Sequence, residues 1–156
     1  VWDKVSEAYW GTAGLVSPLQ LHADLNRMVP KQLSSFIAQC ELSEWQKDEV
    51  LASSDKTQKF NELNYWHKLS RALNAHRDAD VALSRIGIFV PDAIKEKLQS
   101  ILDLVHSALV EDQINHEHPP VKFSERLKND IDRIRTDGKA WMEDAEKLIK
   151  NRIWEH

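Results

Sequence analysis

Cysteine appears once, glycine four times and proline five times in 156 residues, and each scarcity removes a class of protein. A lone thiol, Cys40, cannot build a disulfide framework within one chain. It follows the apolar run Phe36, Ile37, Ala38 and is expected to be a small buried hydrophobe, not a catalytic nucleophile. Strand-rich domains consume turn residues, so few Gly and Pro favour long helices. No segment is apolar enough to cross a bilayer, and none is organised like a secretory signal. Lys and Arg form no run, and the net charge is −4, so nothing marks the chain for DNA or an anionic membrane. A Gly-rich phosphate loop, a Gly-x-Ser-x-Gly elbow and a His-Glu-x-x-His pair are all missing. That removes the enzyme classes with strong local signatures.

What is present reads as an all-α chain. Apolar residues make up 42% and charged residues 29%, enough for one domain over 1–156 to bury a core without disulfides or metals. Trp2, Val5, Tyr9, Thr12, Val16 and Leu19 step by three and four, predicting a helix from Trp2 towards Met28 with a kink or break at Pro18. Lys31–Cys40 is a short helix with Leu33, Phe36 and Ile37 inward. Ser43 and Gln46 have capping-box spacing and open another short helix to Ala52. Asp55 is placed to cap a long helix from Lys56 to Ile86, which contains neither Gly nor Pro. On its inner face stand Tyr65, Leu69, Ala72, His76, Ala79 and Leu83. Gly87 closes it, Ile88-Phe89-Val90 forms a buried corner, and a helix over Asp92–Asn115 follows. His116–Pro120 is a loop, and the last helix begins at Phe123 or Ser124. There Leu127, Ile131, Ile134, Gly138, Trp141, Ala145 and Leu148 alternate steps of four and three, a heptad seam that continues across Gly138. Gly138 would mark close approach to a bulky side chain. The expected architecture is an elongated antiparallel bundle of three to four long helices with short connecting helices, the first helix pairing with the last. Trp45, Trp66 and Trp141 are expected in the core. Trp2, Trp10 and Trp154 lie nearer the ends, where they cluster or reach a partner groove or membrane interface.

Arg71 and His76 stand five residues apart, a spacing that resembles the RNA-cleaving motif of HEPN-domain ribonucleases. In that family both residues share one helix of a small bundle, and a dimer brings two pairs to the scissile phosphate. The resemblance implies that Arg71 would hold the phosphate and His76 would move the 2′-OH proton. The chain departs from the family at Ala72, where a polar residue is usual, and in having two long helices after the motif. Roughly 140° separates Arg71 from His76 around an α-helix. As a core residue, His76 would instead be satisfied by Asp80, one turn on. Asn64, His67, Arg71, Asn74 and Asp78 form a polar stripe on the same helix, either a ligand-binding face or a solvated one with internal pairs. His116, His118 and Asp112 suggest a metal, Asp112 and His116 having the spacing of two ligands to one ion, but they border a Pro-Pro loop with no second cluster. No metal and no cofactor is expected.

Over most of its length the chain resembles a group of uncharacterised bacterial proteins with one N-terminal membrane helix followed by a cytoplasmic helical domain. The resemblance rests on Val1-Trp2 and Ala8-Tyr9, on Ile88-Phe89-Val90-Pro91 leading into Ile94, Leu98 and Ile101, and on Arg152-Ile153-Trp154. It implies a membrane anchor before Val1, tethering a cytoplasmic domain to the inner membrane, and it implies no activity. The favoured reading is therefore a non-enzymatic interaction domain with a protein partner or self-association. The alternatives are a dimeric ribonuclease acting on RNA through Arg71 and His76, and a small-ligand sensor using the polar stripe.

Overall fold

The computed structural model describes residues 1–20, 22–86, 89–119 and 124–154, excluding the side chains of Ile86, Ile153 and Trp154. Among the described residues there are helices and turns and no strand, so the chain is all-α. The helices are α1 (Trp2–Leu15), α2 (Pro30–Gln39), α3 (Glu44–Ala52), α4 (Lys56–Ile86), α5 (Asp92–Glu117), α6 (Glu125–Arg133) and α7 (Lys139–Trp154). The expected Gly87 cap, the Ile88 corner residue and a helix start at Phe123 lie outside the described residues, as does the side chain of Trp154. No helix among the described residues is long and apolar enough to cross a membrane.

The first helix stops at Leu15 and does not run to Met28. Ser17 precedes proline, which disfavours the α conformation, and Gly11 and Gly14 weaken the preceding turns. Leu19 is 89% exposed, so its place in the apolar spacing was coincidence. Among the described residues between α1 and α2, the helical structure is a 3₁₀ turn, Leu25–Arg27.

Two compact units divide the chain: Pro18–Lys68, and Val1–Ser17 together with Leu69–His156. In the smaller unit Leu25, Ile37, Leu42, Val50 and Phe60 form the core, with Phe36 edge-on to Phe60 at 5.1 Å. Cys40 packs against this cluster, half-buried, its Sγ 3.1 Å from the Ile37 carbonyl oxygen. Gln46 accepts the Ser43 N–H at 3.0 Å, as the capping-box spacing predicts. Asp55 caps α4 by accepting the Gln58 N–H at 3.0 Å. That bond, and a second from the Asn26 side chain, hold the Asp55 carboxyl below the usual carboxylate range.

The larger unit is built on α5, whose residues Ile94, Leu98, Ile101, Leu102, Leu104, Val105, Ala108 and Leu109 are buried. It packs against α1, α6 and α7. Ser107 donates to Asp130 at 2.8 Å and Arg126 lies 3.3 Å from Glu111. Four residues forward on α5 are thus four back on α6, the mark of antiparallel helices. The α5 helix itself runs to Glu117, past the expected loop start at His116. Phe89 is 77% exposed, so the expected buried corner does not enclose it.

The helices α6 and α7 are one continuous element joined by a π turn, Ile134–Gly138. Leu127, Ile131, Ile134 and Gly138 are buried, as the seam predicts. Beyond Gly138 the seam holds at Ala145, which is buried, but not at its other positions. Met142 is buried, Trp141 is half-buried and Leu148 is exposed. A π turn holds one residue more than an α turn, so the inward position passes from Trp141 to Met142. The expected close approach at Gly138 is present. A Cβ built there would lie 2.8 Å from Tyr9 Cε2 and 3.3 Å from Leu104 Cδ2. Tyr9 is buried, and its hydroxyl donates to the Ile134 carbonyl at 2.5 Å, at the start of the π turn.

Gly138 and Gly11 should therefore respond oppositely to alanine. Gly138→Ala forces the Tyr9 ring aside, an overpacking cost of about 1–3 kcal/mol that exceeds or cancels the helix-propensity gain of about 1 kcal/mol. Gly11 has nothing within 4 Å of an added Cβ, so Gly11→Ala keeps most of that gain. Urea unfolding should show a lower midpoint for Gly138→Ala and a higher one for Gly11→Ala. A higher midpoint for both would mean that Tyr9 yields freely.

Candidate functional site

Trp2, Ser6 and Trp10 are spaced by four residues, which stacks them along one stripe of α1. Ser6 is the small residue between two indoles, so the stripe has a notch at its middle. Lys139, Met142, Glu143 and Glu146 form the facing wall on α7, and the hollow between the helices is about 250 Å³. Since Tyr9 sits on Ile134 and Gly138, an antiparallel register places Lys139 opposite Trp10, Glu143 opposite Ser6 and Glu146 opposite Trp2. Met142 reaches the hollow because of the π turn.

On the aromatic wall, Trp2 is half-buried and Trp10 is exposed but held by a neighbouring ring. Trp10 is 56% exposed. It meets Tyr9 edge to face, with ring centroids 4.9 Å apart and planes at 77°. Tyr9 is in turn held by its bond to Ile134 and by contact with Gly138, and burial raises its hydroxyl pKa. The charges on the other wall are unequally occupied. Glu146 pairs with Lys150 at 2.6 Å. Glu143 is exposed and makes no ion pair among the described residues.

The residues singled out from the sequence are differently placed. Arg71 is exposed on α4. His76 is half-buried on another side, its Nε2 3.1 Å from the Leu102 carbonyl oxygen. A carbonyl only accepts, so the neutral ring carries its proton on Nε2. The partner of His76 is thus a backbone carbonyl of α5 and not the Asp80 carboxylate. Its ring also lies 5.2 Å from that of His106, tilted by 31°. Nothing in the sequence spacing linked those two histidines. In the polar stripe, Asn64 and His67 belong to the smaller unit and Arg71, Asn74 and Asp78 to the larger. His67 Nε2 lies 3.6 Å from Glu41, and Asp78 lies 3.9 Å from Lys4, so these two pair outside the stripe. Asp112 and His116 both lie on α5, and no group of three or more metal-ligating side chains occurs among the described residues.

No family model, curated protein or solved structure matches this chain.

Function must therefore be read from the surface itself. Trp45 is 61% exposed, and Trp66 is exposed too, so the expectation that both are core fails. Each belongs to a helix whose apolar face is narrower than the spacing suggested. A wider hollow in the smaller unit runs past Met28, Val29, Gln32, Phe36 and Gln39, and Lys31 is the sole charge lining it. The α1–α7 notch differs in combining two indoles with carboxylates. Sequence reading marked Trp2 and Trp10 as candidates for a partner groove. It missed Ser6, Glu143 and Glu146, although the Trp-x3-Ser-x3-Trp spacing was there to be seen.

His76 makes stability depend on pH. Burial, and then the charge of His106, hold its pKa below the ordinary histidine range. The Leu102 carbonyl and the carboxylates of Asp80 and Asp103 oppose the shift. The folded state therefore prefers the neutral ring, and the unfolded chain binds the proton more readily. The stabilisation is complete above the unfolded pKa, about 6.5, and is lost as pH falls from there through the folded value. His76→Gln keeps an N–H donor for Leu102 and removes the titration. Its unfolding midpoint should fall less than that of the parent below about pH 6.5, and parallel curves would show that His76 does not contribute.

Proposed function

We propose that this chain is a non-enzymatic helical interaction domain that engages a protein partner at the notch between α1 and α7. In this reading α1, the second part of α4, α5 and the α6–α7 helix act as one bundle of long helices, and α2 and α3 are short connecting helices. The observation that carries the reading is Trp10, a large aromatic side chain exposed to solvent yet clamped by Tyr9. Ordering a mobile side chain on binding costs about 0.5–1.5 kcal/mol, and a clamped indole avoids most of that. Tryptophan is also among the residues that most often dominate interface energetics. At about 250 Å³ the hollow is below the roughly 300–1,000 Å³ usual for small-molecule sites. That size suits a side chain projecting from a partner better than a whole metabolite.

A photocrosslinking residue, p-benzoylphenylalanine, placed at Glu143 should capture a discrete partner in the cells that make this protein. The same residue at Asp132, exposed on α6 away from the notch, should not. Adding Trp10→Ala should abolish the capture while leaving the fold intact by circular dichroism. Equal capture at both positions would refute an interface at the notch.

A further inference from the structure

We infer that the notch receives an arginine side chain from a peptide segment of the partner, seated between the indoles of Trp2 and Trp10 with its guanidinium on Glu143. This rests on the interaction reading above and names the chemistry of the partner.

The argument is one of charge and shape. Ser6 leaves a gap between two indoles roughly 12 Å apart along α1, at 1.5 Å per residue. Indole faces attract cations through the negative face of the ring, and tryptophan does so most strongly. The register sets Glu143 opposite that gap. It has no ion pair among the described residues, whereas Glu146 is already held by Lys150 at 2.6 Å. An apolar occupant would strip water from the Glu143 carboxylate and return no hydrogen bond, a net cost. An anionic occupant would meet two carboxylates. A guanidinium satisfies both walls, since its plane stacks on an aromatic face while its edge donates two parallel hydrogen bonds to a carboxylate. Lysine offers the charge without the plane. Lys139, at the Trp10 end of the facing wall, pushes the incoming cation towards Ser6 and Trp2, and so sets where along the notch it lies. A floor formed by Met142 adds a polarisable apolar surface for the methylene stem.

The experiment uses the full chain, ¹⁵N-labelled, with the indole N–H signals assigned. The probes are N-acetylarginine amide, its neutral isostere N-acetylcitrulline amide, N-acetylphenylalanine amide and tetramethylammonium. The arginine probe should shift the Trp2 and Trp10 signals saturably in the millimolar range and leave Trp45 and Trp66 unmoved. Citrulline should shift neither. Glu143→Gln should weaken arginine binding about fivefold, as expected for a part-exposed charge pair, and Lys139→Gln should not weaken it. If phenylalanine binds at the notch and arginine does not, the cation inference fails while the interface reading stands. Tighter binding of tetramethylammonium than of arginine would make this a quaternary-ammonium site and overturn the peptide source. If no probe binds and the Glu143 crosslinker captures nothing, the interaction reading itself falls.

Discussion

The contact of Tyr9 with Gly138 is the constraint on which the larger unit depends. Three elements meet there: the ring of Tyr9 from α1, the methyl of Leu104 from α5, and the backbone of the last helix, with no room for a Cβ. The ring can come so close only because position 138 carries no side chain. Its hydroxyl then donates to the Ile134 carbonyl, at the place where the π turn widens the helix. One residue thus fills a packing gap and satisfies a backbone acceptor, and the spacing of α1 against both neighbours follows from it.

The consequences run outward to the surface. After the π turn the inward position passes from Trp141 to Met142, leaving Trp141 half-buried, and Ala145 stays buried. Tyr9, once seated, meets Trp10 edge to face at the protein surface. The notch is then the outer side of the same junction whose inner side is the core. Such a link between core packing and the surface explains how a small helical unit can display an aromatic side chain at its surface without a loop. His76 is a second, separate device in the same unit. Its imidazole spends its N–H on a backbone carbonyl of α5, which ties two helices together, while burial and the neighbouring His106 favour the neutral ring.

Much of this was legible in the chain. The capping box at Ser43 and Gln46, the cap at Asp55 and the uninterrupted α4 all follow from local chemistry, and local chemistry is written in sequence order. Gly138 as a point of close approach was also readable, because a glycine within a helical seam asks for a reason. What misled were arguments from periodicity alone. Leu19 and Leu148 fit the apolar spacing and are exposed, because spacing shows which residues share a face but not where the face ends. Trp45 and Trp66 show the same limit, since a large apolar residue on a short helix is buried only if another element reaches it.

The sequence by itself determined the all-α class, the helix starts at their caps, and the position where a backbone must approach an aromatic ring. These depend on propensity, capping and steric volume within a few residues. Only the tertiary structure decided that the last helix takes a π turn, that Met142 and not Trp141 faces inward, that His76 binds Leu102 and lies beside His106, and that Glu143 stands across from Ser6. Each of these depends on contacts between residues distant in the chain. Their energies are fixed by how helices seat against one another, which local sequence leaves open.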